Sequence, residues 1–144
     1  MLLVLVLAGS GSEAGEPGTS GAIAIVVGSG SPIRHVTLDT LRELYLRRQR
    51  VWPNGERANP VNLPADDAVR GAFSKRVLGR LPTDLESYWR RMYFEGIRPP
   101  LVLKTPRAVC AYVAAEHSAI GYIRLEEVDR ESCRVLFVLT EEAG

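Results

Sequence analysis

Two short segments of the chain contain the residue types that bind an oxyanion, which needs backbone N–H groups, small hydroxyl donors and often an arginine. The first segment, residues 28–31, reads Gly-Ser-Gly-Ser and follows an apolar run. Ser29 and Ser31 could donate hydrogen bonds there, and the glycines would let the backbone approach a ligand closely. No Lys-Ser/Thr pair follows, so the segment is not a nucleotide-binding phosphate loop, and a plain flexible turn is the alternative interpretation.

The second segment, residues 63–70, reads Leu-Pro-Ala-Asp-Asp-Ala-Val-Arg and enters a predicted helix. Arg70 lies about one turn inside that helix, from where its side chain could reach back to an anion. Asp66 is the other candidate contact, although its carboxylate and that of Asp67 would repel an anion and, as N-caps, would occupy the N–H groups that the anion needs. The predicted ligand-binding set is Asp66 and Arg70 together with the two serines, and helix capping is the alternative role of the aspartates.

The chain contains no recognisable catalytic or metal-binding motif. It has neither a Gly-x-Ser-x-Gly elbow nor a His-Glu-x-x-His motif, and its two histidines, His35 and His117, are far apart in the sequence. Cys110 and Cys133 belong to no Cys-x-x-Cys or Cys/His cluster that could hold a metal. We therefore predict a non-enzymatic protein without a metal or other cofactor.

Charge and composition are those of an ordinary globular domain. The 144 residues include 18 basic and 17 acidic side chains, and the net charge of +1 predicts no attraction to nucleic acid or anionic lipid. Arg47, Arg48 and Arg50 form a local basic cluster that could meet an anion or a partner. A solvated helix end, where the helix dipole favours cations, is the alternative interpretation of that cluster.

The N-terminal residues resemble a secretory signal peptide. An apolar run at residues 2–8 precedes a stretch of small residues, but no Lys or Arg comes before it, and it is far shorter than the roughly 20 apolar residues that span a bilayer. We predict a leader and flexible linker over residues 1–21 and a domain over residues 22–140. We also predict a periplasmic or secreted location and no transmembrane segment. The alternative interpretation of the apolar run is an ordinary N-terminal strand. If the protein is exported, Cys110 and Cys133 could form a disulfide, and two separate buried thiols are the alternative.

Short apolar strands alternate with amphipathic helices, the pattern of a three-layer α/β domain. Residues 22–27 are continuously apolar, as in a strand buried on both faces, and Pro60 predicts that the strand at 58–63 lies near a sheet edge. The aromatic face of the helix after residue 83 is predicted to be core, with one residue exposed at an interface, and a ligand-binding shelf is the alternative. Four helices have predicted starts. Thr37 or Asp39 caps the first, and Asp66 or Asp67 caps the second, which ends at Gly79. Thr83 begins the third with a capping box to Glu86, and Thr105, followed by Pro106, begins the fourth.

Five segments occur in an order that resembles a known family. They are the strand at 22–27, the helix Leu-Asp-Thr-Leu-Arg-Glu-Leu-Tyr-Leu at 38–46, Trp-Pro-Asn-Gly at 52–55, the strand into Val-Asn-Leu at 61–63 with its following helix containing Phe73, and Ser-Ala-Ile-Gly-Tyr at 118–122. This order is similar to the phosphate-type substrate-binding proteins of bacterial ABC transporters, the PstS-like group, and more closely to its short single-domain members. The resemblance spans about residues 21–139.

The resemblance implies a periplasmic-binding-protein-like (type II) fold. Full-length members have two lobes that close on an anion like a hinged clamp, and this chain has room for a single lobe. We therefore expect one three-layer α/β/α lobe that leaves an anion partly solvated, unless a partner chain or a second copy closes the cleft. In full-length members the segment equivalent to residues 63–70 has an Arg followed by Ser-Gly-Thr, and here two aspartates replace the Ser-Gly-Thr.

These observations favour an extracytoplasmic PstS-like binding protein for phosphate or another small anion. The alternative is a non-catalytic protein-interaction domain that has kept the lobe and lost the anion, which the two aspartates at the expected anion position would explain.

Overall fold

The computed structural model describes residues 21–140 of the chain. The predicted leader and linker therefore lie outside the described residues, apart from Gly21. The strands and helices are β1 Ile23–Gly28, α1 Leu38–Tyr45, β2 Asn59–Asn62, α2 Ala68–Phe73, α3 Glu86–Phe94, β3 Leu101–Val102, α4 Pro106–Ala115, β4 Ala119–Arg124 and β5 Cys133–Leu139. A π-helical segment, Ser74–Leu78, extends α2, and 3-10 turns at Pro82–Leu85 and Leu125–Glu127 precede α3 and follow β4.

The strands form one five-stranded mixed sheet in the order β3-β2-β4-β1-β5. Strand β2 runs parallel to β3 and β4, whereas β1 runs antiparallel to β4 and β5. The carboxyl ends of β2, β3 and β4 therefore share one edge of the sheet, which we call the carboxyl edge. Strand β1 ends at the opposite edge, where β2 and β4 begin, and we call this the amino edge.

Helices cover both faces of the sheet, as predicted for three layers. Gly121 of β4 faces α4, since a Cβ at that position would lie 2.7 Å from a methyl carbon of Val109. The next residue of the strand, Tyr122, points to the other face, where its ring stacks on Phe73 of α2 with centroids 3.8 Å apart and meets Tyr45 of α1 edge-on at 5.9 Å. The continuous apolar runs of β1 and β4 follow from this arrangement, because both strands are buried on two sides.

Local capping signals account for most helix boundaries. Oγ1 of Thr37 accepts a hydrogen bond from the N–H of Thr40 at 3.1 Å and begins α1, as predicted. Oγ1 of Thr105 does the same for α4, with the N–H of Ala108 at 3.0 Å. Gly79 adopts a left-handed φ of 75° directly after the π-helical segment, so the predicted stop is confirmed.

The capping box predicted between Thr83 and Glu86 is wrong. Residues in this stretch form a 3-10 turn, and Oδ2 of Asp84 instead accepts a hydrogen bond from the N–H of Leu81 at 3.1 Å. Because Pro82 already fixes the backbone of the first turn, the cap is placed two residues earlier than the Thr-x-x-Glu pattern indicates.

The position of β2 also differs from the prediction. The strand lies between β3 and β4 and is therefore not an outermost strand of the sheet. Proline is tolerated there because pairing with β3 begins only at Val61, so Pro60 itself pairs with one neighbour, Ile120 of β4.

The aromatic residues of α3 are not core. No residue of this helix is buried, and Tyr93 and Phe94 are 64% and 82% exposed. Helical periodicity identified an apolar face correctly, but within residues 21–140 no element packs over its C-terminal end. Across the same residues, no helix combines the length and the apolar character that crossing a membrane would require.

Candidate functional site

A cleft of about 550 Å³ lies at the carboxyl edge of the sheet, where β2 and β3 end. Open α/β sheets bind ligands outside the carboxyl ends of their strands, so this is the expected position for a ligand. We call it the carboxyl-edge cleft. Its polar and aromatic lining consists of Asn62 at the end of β2, Arg70 of α2, Thr83 of the 3-10 turn, and Glu86, Trp89, Arg90 and Tyr93 of α3.

Arg70 is held near the end of β2 by a hydrogen bond to the residue that follows this strand. Helix α2 begins at Ala68 because Oδ1 of Asp67 accepts a hydrogen bond from the N–H of Val69 at 2.8 Å. One turn later, Nη1 of Arg70 reaches back and donates to the carbonyl oxygen of Leu63 at 3.1 Å. A guanidinium has five N–H donors, so this bond positions the group and leaves other donors for a ligand.

Asn62 offers a second donor to the same cleft. The hydroxyl of Tyr122 accepts a hydrogen bond from the N–H of Leu63 at 3.2 Å and donates its own proton to Oδ1 of Asn62 at 2.7 Å. Since the hydroxyl proton requires an acceptor, this bond identifies the oxygen of the Asn62 amide and leaves its NH₂ group as a donor. Within residues 21–140 the NH₂ group itself makes no hydrogen bond.

Two buried tyrosines hold the end of β2 in place, and both are uncharged. Burial raises the pKa of Tyr122 and of Tyr45 well above the ordinary value of a phenol, so neither ionises near neutral pH. The hydroxyl of Tyr45 donates to the carbonyl oxygen of Val61 at 2.7 Å and also lies 3.2 Å from that of Ile120, which ties β2 to β4. Both hydroxyls thus fix the end of β2 that presents the cleft.

The charge of the cleft is mixed. Arg70 and Arg90 contribute positive charge, and Glu86 contributes one carboxylate. Asp67 is occupied as the N-cap of α2, and Asp66 beside it is exposed. An anion at Arg70 would therefore meet two guanidinium groups and nearby negative charge, which favours a weakly held ligand.

The two predicted serines lie at the other edge of the sheet. Strand β1 runs antiparallel to β4, so Ser29 and Ser31 follow its end at the amino edge. The six residues of β4 span about 20 Å between the two edges. Asp66 and Arg70 thus share an edge, but a single small anion cannot contact them and the serines together.

The local environments of the serines indicate a structural role. Ser31 is 2% exposed, and its hydroxyl donates to the carbonyl oxygen of His117 at 3.1 Å while accepting from the N–H of Ile33 at 3.0 Å. Ser29 is exposed, and its backbone N–H donates to the carbonyl oxygen of Ser132 at 3.0 Å. The loop therefore links β1 to the starts of β4 and β5.

His117 has a carboxylate partner. Its Nε2 lies 3.0 Å and 3.2 Å from the two carboxylate oxygens of Glu56 on the protein surface. This hydrogen bond and charge raise the pKa of His117, and the same contact lowers the pKa of Glu56.

The two cysteines are joined. Cys110 of α4 and Cys133 of β5 form a disulfide with their Cα atoms 5.8 Å apart, which decides between the alternatives that the sequence left open.

Sequence reasoning did not select Asn62, Arg90 or Tyr122 as site residues. A polar residue at the carboxyl end of a parallel strand is a detectable signal, and Asn62 carries it. Tyr122 has no comparable signal, since it lies 60 positions from the asparagine that it orients.

The described fold is similar to solved phosphate transport proteins. An ABC-type phosphate transport receptor from Vibrio cholerae matches 82% of this chain with a TM-score of 0.63 and 20% identity. The fold is that of a periplasmic-binding-protein-like lobe. A phosphate ABC transporter substrate-binding protein from Clostridium perfringens, solved with bound phosphate, matches 77% of the chain with a TM-score of 0.60 and 18% identity. PstS from Borrelia burgdorferi matches 81% with a TM-score of 0.60 and 14% identity.

The chain covers only part of each of these structures. It spans 47% of the Vibrio cholerae chain, 42% of the Clostridium perfringens chain and 50% of the Borrelia burgdorferi chain. No protein-family model matches the sequence, and no curated protein matches it. The predicted fold class, a single lobe of a periplasmic-binding-protein-like fold, is therefore confirmed by structural likeness rather than by sequence.

Proposed function

We propose that this protein is an extracytoplasmic PstS-like binding protein that takes phosphate or another small oxyanion in the carboxyl-edge cleft and catalyses no reaction. The observation that carries the proposal is the convergence of Arg70 and the Asn62 amide on a cleft at the carboxyl ends of β2 and β3. The fold supports it, since its solved neighbours are phosphate transport proteins. That likeness favours the anion-binding hypothesis over an interaction domain.

The donor set suits an oxyanion. A guanidinium binds phosphate or sulfate through parallel N–H···O bonds, and a fixed amide NH₂ group adds a neutral donor with a defined direction. Neither an amide nor a guanidinium is among the side chains that act as nucleophiles. The arrangement thus favours binding and release over chemistry.

The cleft is open to solvent, so a second chain could cover it. Exposed Tyr93 lines the cleft, and Phe94 beside it is 82% exposed. We propose that a second copy of this chain covers these rings and completes the cleft. Sedimentation velocity over a range of concentrations tests this: we expect a dimer that Phe94→Ser weakens, and a strictly monomeric protein at high concentration would contradict it.

An extracytoplasmic location agrees with the disulfide between Cys110 and Cys133. Structural disulfides persist in oxidising compartments such as the periplasm and are rare in reducing ones. Fractionation of expressing cells tests the location, and recovery of the protein solely with the cytoplasm would contradict it.

Titration calorimetry with phosphate and sulfate at low salt tests the binding itself. We expect saturable binding with one site per chain. Arg70→Ala should weaken it by about tenfold or more, since a hydrogen bond to a charged group contributes about 1.5–3 kcal/mol. Asp66→Asn should strengthen it, because the change removes a negative charge near the anion.

Arg130→Ala is the matched control, since this exposed arginine lies outside the cleft. It removes the same charge and should leave the affinity nearly unchanged. The proposal is overturned if no small oxyanion produces heat or a thermal shift. It is also overturned if the Arg70→Ala variant is folded and binds like the original protein.

A further inference from the structure

A larger concavity, of about 680 Å³, lies at the amino edge of the sheet, where β2 and β4 begin. Asn59 and Ser118 mark those two strand starts in its wall. Its charged lining consists of arginines from three separate segments: Arg47 and Arg50 after α1, Arg57 before β2, and Arg98 after α3. We call this concavity the arginine pocket.

The positive charge of the arginine pocket is not balanced locally. No Asp or Glu lines it, and none of its arginines forms an ion pair within residues 21–140. The adjacent carboxylate, that of Glu56, is bonded to His117. Burial lowers the pKa of Arg47, and the charges of Arg50 and Arg57 lower it further, as expected for cations held together without counter-charge.

Arg47 occupies a backbone position that normally belongs to glycine. Its φ is 61°, and the chain forms a Schellman turn there, in which the N–H of Arg47 donates to Leu44 and that of Arg48 to Glu43. A residue with a Cβ is strained in this conformation, so glycine would serve the turn better. The arginine is therefore not explained by the turn.

The side chain of Arg47 is also incompletely bonded. Its Nη1 lies 3.4 Å from the carbonyl oxygen of Ala58, a long contact. Its Nε is shielded from solvent and has no hydrogen-bond partner in the described part of the chain. A buried N–H of this kind normally has a partner, so the fold alone does not satisfy the Arg47 side chain.

We propose that the arginine pocket binds an oligophosphate, the linked phosphate groups of pyrophosphate, tripolyphosphate or a nucleotide. Guanidinium groups pair with phosphate oxygens in bidentate geometry, and linked phosphates carry enough negative charge to meet several of them at once. A single phosphate, with a charge of about −2, would leave about half of the charge of the arginines uncompensated. The lining contains no aromatic ring on which a base could stack, so the phosphates themselves are the recognised group.

This site shares no lining residue with the carboxyl-edge cleft. Arg70 does not line the arginine pocket and none of the pocket's arginines lines the cleft, although Arg98 of the pocket is followed directly by Pro99 of the cleft. Substitutions can therefore test each of them alone, and failure of one proposal leaves the other intact.

Titration calorimetry with tripolyphosphate at low salt tests the proposal. We expect saturable binding that weakens by about tenfold or more in the double variant Arg57→Ala, Arg98→Ala, because each lost arginine removes charge-assisted hydrogen bonds. Arg130→Ala, which removes one exposed arginine outside the pocket, controls for the loss of a single surface charge and should leave the affinity nearly unchanged.

Arg47→Gly separates binding from folding. Glycine adopts the left-handed turn without strain, so the variant should keep or raise the Tm while losing affinity for tripolyphosphate. A merely structural role of Arg47 predicts the opposite pair of results, a lower Tm with unchanged affinity, and would count against the proposal.

Further ligands identify the recognised group. ATP should bind about as tightly as tripolyphosphate, and AMP much more weakly. The proposal is overturned by an absence of saturable binding to tripolyphosphate, by AMP binding as tightly as ATP, by hexaglutamate binding more tightly than tripolyphosphate, or by Arg70→Ala abolishing the binding.

Discussion

The hydroxyl of Tyr122 donates to Oδ1 of Asn62 at 2.7 Å, and this bond determines which end of the amide the carboxyl-edge cleft receives. The same hydroxyl accepts from the N–H of Leu63 at 3.2 Å, so a residue in the sheet organises both the last residue of β2 and the first residue beyond it. One oxygen atom thereby ties the end of β2 to the orientation of the Asn62 amide.

Tyr122→Phe should lower both the stability of the fold and the affinity for phosphate. The phenylalanine ring can keep its stack on Phe73, but the N–H of Leu63 and Oδ1 of Asn62 would lose their partner in a buried position. An unsatisfied buried group costs about 1–3 kcal/mol, which urea unfolding would measure. Calorimetry should also show weaker phosphate binding, because the amide of Asn62 is then free to turn.

Tyr45→Phe provides the control for this substitution. It also removes a buried hydroxyl, which bonds to the carbonyl oxygen of Val61 at 2.7 Å, but it leaves the bond between Tyr122 and Asn62 in place. We expect a comparable loss of stability and a smaller loss of affinity. Equal losses of affinity in the two variants would show that Tyr122 acts only through the stability of the fold.

Local signals predicted the elements well, but not which of the candidate ligand-binding residues lie at the same edge of the sheet. The apolar run of β1, the cap at Thr37 and the left-handed Gly79 depend on residues near one another in sequence, so each was predictable. The relative direction of two strands depends on how the strands pair, and the hydrophobic periodicity of the sequence does not predict it. Ser29 was therefore grouped with Arg70, although antiparallel pairing of β1 with β4 places the two at opposite edges.

The surface of α3 illustrates a second limit. Its helical periodicity predicts an apolar face, and Tyr88 and Trp89 on that face are indeed partly covered. Periodicity cannot say how far a covering element extends, and Phe94 at the end of the helix is 82% exposed. Apolar pattern and burial coincide only where another element supplies the partner surface.

Loss of the disulfide between Cys110 and Cys133 should destabilise the domain. The bridge joins α4 to β5 across a sequence separation of 23 residues, and closing a loop of that size in the unfolded chain contributes about 3 kcal/mol. Urea unfolding should show this difference between the original protein and the double variant Cys110→Ser, Cys133→Ser. A reductant should destabilise the original protein and leave the variant unaffected; two reactive thiols in the untreated native protein would contradict the prediction.

The pair of His117 and Glu56 should make stability depend on pH. The pKa of His117 is raised in the fold, so its contribution is complete below the ordinary histidine value of 6.5 and is lost as the pH rises through the folded value. The pKa of Glu56 is lowered, so its contribution is present above the ordinary value of 4.5 and is lost as the pH falls through the folded value. The pair therefore stabilises most between these two ordinary values.

NMR titration of the imidazole of His117 measures this coupling directly. Glu56→Gln should return the pKa of His117 toward 6.5, because it removes the largest cause of the shift. Glu116→Gln is the control, since Glu116 is the smallest contributor to the same shift and should change it less. An unchanged pKa in Glu56→Gln would show that the ion pair does not persist in solution.

Gly28, the last residue of β1, and Gly30, two residues later, should respond very differently to alanine. A Cβ at Gly28 would collide with the carbonyl oxygen of Val113, because the end of β1 passes directly against the backbone of α4. A Cβ at Gly30 would meet no heavy atom within 4 Å. The close approach that glycine permits in this loop is thus to a helix of the same lobe. We expect Gly28→Ala to cost about 1–3 kcal/mol in urea unfolding, as forced overpacking does, and Gly30→Ala to stay within about 0.5 kcal/mol of the original protein. If the ligand-binding role that the sequence suggested for this loop were correct, Gly30→Ala would instead weaken phosphate binding while leaving stability unchanged.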